Sequence, residues 1–460
     1  MAHQTDFANG KVWRSIVDVS LPITAAQLLN LLYNIVDRIY IGHIPKVGDI
    51  ALTGVGLSFP IITLIMAFSM LFGSNGGAPL CSMERGKGND EEAEKIMGTS
   101  FFMLVCSGAV ITVLGLIFAK PILYLFGASD ASFPYAYSYL TIYLLGSVFV
   151  MVTLGMNSFI NSQGFGRTGM MTVVIGAVLN IILDPLFIFV FDLGVQGAAI
   201  ATVLSQLVSG IWVIRFLTGP QAVLKLKFKS MRLQAKRLKD ITVLGFSGFI
   251  MGLTSSLVQI VCNKMAFLYG GDLYVTVMTV LNSVRELFST PLSGFSGGAV
   301  PVISYNYGAK QFGRVKQAIR FMVIFGLVSS SLVWLLVVCF PAAFIHLFNS
   351  EPALIEAGVP AIRTYFFGFV LMSLHMNGQN TFVALGKAKQ AITFSLLRKV
   401  IIVVPLTLLL PGLGFGVEGV LLAEPISNIV SGIACFTTMY FVVFGELNGK
   451  RTPKVKHPAP

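Results

Sequence analysis

Charge is what this chain has least of. Asp, Glu, Lys and Arg make up 11% of its 460 residues, against roughly 25% in a soluble domain, while 55% are hydrophobic and the mean hydropathy is +0.81. So little charge cannot cover a water-facing surface of this size, which excludes an ordinary soluble domain and leaves a polytopic membrane protein. Cysteine is sparse as well. Cys81, Cys106, Cys262, Cys339 and Cys435 sit in apolar stretches with no C-x-x-C pair, which argues against a disulfide framework or a zinc site and leaves them as lipid-facing or packing residues. The opening MAHQTDFANGKVWR lacks the charged, apolar and cleavage-site order of a signal peptide, so the first hydrophobic stretch is expected to stay as a span. Walker lysines are missing too. Glycines 76, 77, 297 and 298 lie in apolar runs with no lysine at the right spacing, and read as helix-packing or bending positions instead of phosphate cradles. With no nucleotide-binding domain in this sequence, energy is expected from an ion gradient or a separate subunit.

What is present is repetition. Residues 194–211 read GVQGAAIATVLSQLVSGI and residues 416–433 read GVEGVLLAEPISNIVSGI. Nearly the same offset sets Asn157 opposite Asn377, Gly166 opposite Gly386, Pro185 opposite Pro405, and one GGA triplet opposite another. Apolar runs of about 20 residues number twelve, near 16–41, 52–80, 96–119, 134–160, 169–191, 195–217, 241–268, 274–303, 318–341, 357–384, 391–411 and 416–444. The expected fold is all-α, with 12 transmembrane helices in two six-helix lobes. The expected divisions are an N-terminal lobe over 1–219, a basic linker over 220–240, a C-terminal lobe over 241–445 and a basic tail over 446–460. An even number of helices per repeat gives both lobes one orientation, related by a pseudo-twofold axis along the membrane normal, and duplications of this kind are typical of secondary transporters.

Lysine and arginine set the sidedness. Most of the 32 fall at the termini and in alternate connections, leaving Lys46 and Lys120 on the other face, so both termini are placed in the cytoplasm. The net charge of +12 is then a topology signal and not a nucleic-acid footprint. The run KLKFKSMRLQAKRLK at 225–239 reads as a cytoplasmic linker against anionic lipid headgroups. The stretches 84–95 and 305–316 read as amphipathic connectors that brace the lobes.

Ionisable and amide residues inside the spans carry the functional argument, because each charge near the bilayer centre costs roughly 2.5–3.5 kcal/mol and needs a partner or a wet cavity. Gln27, Asn30, Asn34 and Asp37 share one face of the first helix. Asn180 and Asp184 lie one turn apart on the fifth, beside Pro185, while Thr202, Ser205, Gln206 and Ser209 line the sixth and Asn157 and Asn161 the fourth. Four helices of the first lobe can thus surround a polar cavity. The second lobe lacks this set: Asp184 aligns with Val404, Asn180 with Val400 and Asp37 with Asn263, while Thr202 aligns with Glu424. Paired acids on one lobe alone point to a coupling ion there. Desolvation of a carboxylate favours proton uptake and hard oxygen ligands suit Na⁺, so either ion fits.

The duplicated layout, the pattern P-x14-D-R-x3-G from Pro22 through Asp37 to Gly42, and the run PVISYNYGAKQFGRVKQAIR at 301–320 resemble the multidrug and toxic compound extrusion (MATE) family, in particular bacterial members with acids in the N-terminal lobe. The resemblance covers essentially the whole chain. It implies cation-driven efflux of varied, often cationic compounds by alternating access, without enzymatic activity or a cofactor beyond the coupling ion. It also implies a cation site, for H⁺ or Na⁺, at Asp37, Asn180, Asp184 and Thr202, with Asn157 and Asn34 nearby. Candidate substrate contacts are Asp37, Asp184, Gln206, Asn263, Glu286 and Gln379. A branch of the family with acids in helices seven and ten is not matched, since Asn263 and Lys264 stand in the former and the latter has no acid.

Blander readings stand beside these. Asp37 and Asp184 can form a network that merely locks the lobe. Arg285 and Glu286 can pair with other helices, Glu424 with Arg398 or Lys399, Glu418 reads as solvated, and His375 reads as a satisfied core residue. Two other functions stay open on sequence alone: a lipid-linked sugar flippase, which would call for more intramembrane arginines, and a membrane-embedded prenyl transferase, which lacks a D-D-x-x-D pair. The expected partners are small organic cations and membrane lipids, with no nucleic acid, for a monomer in the cell (inner) membrane.

Overall fold

A computed structural model describes residues 4–45, 47–231, 233–348 and 351–449. Lys46 and most of the basic tail, residues 450–460, lie outside them. Among the described residues all regular structure is helical, as a lipid environment demands when each backbone polar group must be satisfied within its own segment.

The chain forms a twelve-helix, two-lobe layout. Five spans of the first lobe are unbroken or nearly so: α1 Val12–Gly42, α2 Phe59–Gly86, α3 Asp90–Leu125, α5 Gly166–Val190 and α6 Gly194–Thr218. The remaining one, α4, bends by 55° between Phe133–Leu145 and Ser147–Ser162. In the second lobe the helical stretch Ala235–Gly308 reverses at Gly271, whose φ of 66° only glycine adopts freely, giving α7 (235–270) and α8 (272–308). Next come α9, Phe312–Cys339, and α10, which bends by 42° between Pro352–Phe366 and Phe369–Ala384. The stretch Ala388–Leu447 turns at Gly414 and Gly416, both with positive φ, into α11 (388–415) and α12 (416–447).

The bends in α4 and α10 show the duplication in three dimensions. A Cβ on Gly146 would meet Val203 of α6, and one on Gly368 would meet Pro425 of α12. Each bend therefore rests a side-chain-free turn against the last helix of its own lobe. Prolines flank π-helical turns in α5 and α11: one follows Pro185 and one precedes Pro405, where the missing N–H of Pro405 leaves the Ile401 carbonyl without its helical donor.

The lobes meet most closely at the end that carries both chain termini. There a Cβ on Gly86 would fall on the carbonyl of Tyr305, and one on Gly308 on the carbonyl of Met83, so α2 and α8 cross backbone to backbone. Gly298 lies similarly against Ser20 of α1, and Gly76 against Ile241 of α7, the close packing expected of the paired glycines. Gly297 has open space beside it. Phe7, Val12, Ile16 and Val19 pack into a core of α8, α9, α10 and α12. The start of α1 thus stitches the N-terminal segment to the opposite lobe.

The connectors are more ordered than their composition suggests. Between α2 and α3 only Lys87–Asn89 is non-helical, and Asn89 caps α3 by accepting from the Glu92 N–H at 3.2 Å. The basic linker folds back on the first lobe. Leu224 N–H donates to Gln163 Oε1 at 2.8 Å, Lys225 N–H to Glu94 Oε1 at 2.9 Å, and Arg237 to Glu92 at 2.8 Å. Ala222, Leu224 and Leu226 are buried. Lys227 and Arg237 are ion-paired with Glu94 and Glu92 of α3, and α7 begins inside the linker at Ala235. Of the cysteines, all free, Cys81, Cys262 and Cys435 are buried and Cys339 is exposed.

Candidate functional site

Between the lobes lie two adjoining chambers. The first, about 400 Å³, is lined by polar residues of the N-terminal lobe, among them Asn30, Asn157, Asn161 and Gln206. The second, about 590 Å³, is lined mainly by the C-terminal lobe, among them Glu286, His375 and Gln379. Gln27, Met70, Asn75, Met251, Ser293 and Asn380 belong to both walls.

The paired acids sit beyond the first chamber. Asp37 and Asp184 lie within hydrogen-bond reach of each other, and neither lines the cavity, which reaches only as far as Tyr33, one turn before Asp37. Asn180 Nδ2 donates to Asp184 Oδ1 at 3.0 Å and approaches Thr202 Oγ1 at 3.4 Å, while Thr202 Oγ1 donates to the Ala198 carbonyl at 3.0 Å. Asp184 is 1% exposed and Asn180 2%. Three buried acceptors, Asp37 Oδ1, Asp184 Oδ2 and Asn180 Oδ1, have no donor among the described residues. Buried acceptors without donors are costly. Two carboxyls at this range need a proton shared between them or a cation beside them, and the all-oxygen donor set suits H⁺ or a hard cation such as Na⁺.

The structure therefore brings Asp37, Asn180, Asp184 and Thr202 together and leaves the other candidates elsewhere. Asn157 donates to the Gly169 carbonyl at 3.2 Å on the chamber wall, and Asn34 to the Asn30 carbonyl at 2.7 Å along its own helix. Gln206 lines the first chamber, Glu286 and Gln379 the second, and Asn263 neither. Gln379 Nε2 donates to Ser395 Oγ at 2.6 Å. Tyr139 and Tyr143 of α4, which sequence reasoning missed, stand in electrostatic range of Asp37. Their four-residue spacing, which matches that from Tyr33 to Asp37, was the available signal.

In the second chamber Glu424 takes Arg285 Nη1 at 3.1 Å, Arg398 Nη2 at 3.0 Å and Lys399 Nζ at 3.3 Å. The pairing anticipated for Glu424 is thus with both candidates at once, and Arg285 joins it. His375 is buried, with Nδ1 lacking a partner among the described residues, so it is only partly the satisfied core residue expected.

The MatE family model matches residues 22–186 and 249–409, one stretch in each half of the duplication. The chain is similar to the multidrug export protein MepA of Staphylococcus aureus (strain NCTC 8325 / PS 47), 24% identical over 449 residues and covering 95% of both chains. Its fold is similar to that of an outward-facing multidrug resistance MATE family transporter of the MOP superfamily, with a TM-score of 0.90, 22% identity, and coverage of 97% of this chain and 99% of that one. A MATE crystal structure in the bent conformation matches with a TM-score of 0.90 at 23% identity, covering 96% of this chain and 97% of that one.

Proposed function

The chain belongs to the MatE family, and on that premise we propose that it is a cation-coupled antiporter, driven by H⁺ or Na⁺, that exports organic cations from the cell by alternating access. The likeness to MepA, named as a multidrug export protein, supports drug efflux as the transported class. The observation that carries the coupling is the pair of the half-buried Asp37 and the buried Asp184, whose Oδ1 and Oδ2 respectively, with Asn180 Oδ1, are buried and donorless among the described residues.

Asp37 belongs to α1 and Asp184 to α5, so an ion held between them draws the two helices together. Because α1 also presents Gln27, Asn30 and Tyr33 to the first chamber, that movement reshapes the substrate wall without the ion and drug touching. Binding of the ion from outside loosens the hold on the drug, and exchange of one for the other biases the lobes back toward the cytoplasm. Thr202 and Asn180 supply neutral oxygens to the ion. Asn157, Asn161 and Gln206 give the chamber polar contacts among apolar walls, an arrangement that tolerates varied ligands. The protein acts as a monomer in the cell (inner) membrane, both termini cytoplasmic, with no cofactor besides the ion.

The test is reconstitution into liposomes with a proton or a Na⁺ gradient imposed separately, following a cationic dye. Movement driven by one gradient and lost in Asp37→Asn identifies the ion. Movement under neither gradient removes the coupled-export reading.

A further inference from the structure

The second chamber carries a cluster that cation export does not use. Arg398, Lys399 and Glu424 are each at least nine-tenths buried, and together with Arg285 they set three cations on a single carboxylate. Donors outnumber acceptors there. Arg285 Nη2 finds Asn282 Oδ1 at 3.1 Å, which Tyr365 Oη also uses at 3.0 Å, yet the Nε atoms of Arg285 and Arg398 are buried with no acceptor among the described residues. A guanidinium offers five N–H groups and a carboxylate about four acceptor sites, so one Glu424 cannot satisfy two arginines and a lysine. The only other acid on this chamber wall is Glu286, exposed and in no ion pair among the described residues. Even counting it, the wall keeps a net positive charge. Burying charged donors without acceptors costs more than a stabilising lock repays.

The rest of the wall has a different chemistry. Met66, Met70, Met251, Met278, Met372 and Met376 line it, a soft apolar surface that adapts to rings and chains of varied shape. A chamber of about 590 Å³ with an apolar body and a basic, acceptor-poor end is complementary to a molecule with an apolar body and an anionic head.

We propose that the second chamber is a binding site for the oxyanion of an amphipathic ligand, held against Arg285, Arg398 and Lys399. The site is independent of the coupling role given to Asp37 and Asp184. It admits anionic or zwitterionic compounds to a transporter whose first chamber offers only neutral polar groups.

The probes are fluorescein, an aromatic carboxylate, and rhodamine 6G, a cation on the same ring system, followed by fluorescence anisotropy with the purified full chain in neutral detergent. Fluorescein should bind saturably. Lys399→Gln, which leaves both arginines on Glu424, should weaken it about tenfold, the loss of one charge-assisted hydrogen bond, and leave rhodamine 6G unaffected. Glu286→Gln breaks no ion pair and should tighten fluorescein by roughly threefold, the scale of one screened charge. Asp37→Asn should not change fluorescein binding, which separates this site from the coupling pair. Absence of saturable fluorescein binding, or indifference to Glu286→Gln, overturns the proposal even where Lys399→Gln fails to fold. Competition then identifies the source of the oxyanion: stronger displacement by 2-naphthoate marks a free organic anion, and by dihexanoyl phosphatidylglycerol a lipid headgroup, both at this same site.

Discussion

In the N-terminal lobe two carboxyls face each other with no ion-paired cation among the described residues, whereas in the C-terminal lobe one carboxylate holds Arg285, Arg398 and Lys399. The scaffolds that present them are the same: α4 and α10 bend over α6 and α12 at Gly146 and Gly368, and Thr202 and Glu424 occupy aligned places. Asp184 and Asn180, by contrast, align with Val404 and Val400, so a shared scaffold carries most of its polar groups at different places in the two lobes. A surplus of buried acceptors suits an incoming cation, while a surplus of buried donors suits an anion. The two lobes are thus physically fitted to different tasks.

Four experiments break or sharpen that contrast. The largest effect is expected from Asp37→Asn and Asp184→Asn, which should each reduce gradient-driven dye transport to background while leaving membrane expression intact. Full transport in both variants would sink the coupling role and leave the acids as a structural network. Next is Glu424→Ala, which strands the buried Arg398 and Lys399 and the half-buried Arg285 and should destabilise the protein by about 3–5 kcal/mol, read as a lowered thermal midpoint in detergent. An unchanged midpoint would mean that the cluster is not a buried ion network at all. Gly86→Val and Gly308→Val test the seam the lobes share. Because a side chain at either place meets opposing backbone, transport should fall severalfold while thermal stability of each variant drops by less than in Glu424→Ala. The smallest effect is Thr202→Val, which removes one neutral oxygen worth about 1 kcal/mol and should weaken the apparent affinity for the driving ion about fivefold, measured as the shift in half-saturating ion concentration.

Legibility in the sequence followed the physics of each feature. Asp184 stood out because a carboxylate in an apolar run is rare and costly, and Asn180 because it lies one turn before it. The same rule drew attention to Glu424, Arg398 and Lys399, but could not say that all three cations of the cluster meet one carboxylate, since Arg285 lies 139 positions away in the chain from Glu424. Tyr139 and Tyr143 escaped notice because a tyrosine inside a span has no comparable cost. The separation of Asp37 from the chamber that Asn30 and Gln206 line was equally hidden. All three sit on helix faces that spacing alone would merge into one cavity.

By itself the sequence determined the membrane setting, the twelve spans, the duplication and the restriction of paired acids to one lobe, because hydropathy, periodicity and residue type act locally and are written in linear order. Tertiary structure decided the rest: the seam of glycines between α2 and α8, the folding of the basic linker onto Glu92 and Glu94, and the division of the interior into one acceptor-rich and one donor-rich place. Those outcomes depend on how helices distant in the chain bend and cross. A rotation of a few tens of degrees about a helix axis turns a side chain from one neighbour to another, and no local pattern of residues specifies that angle.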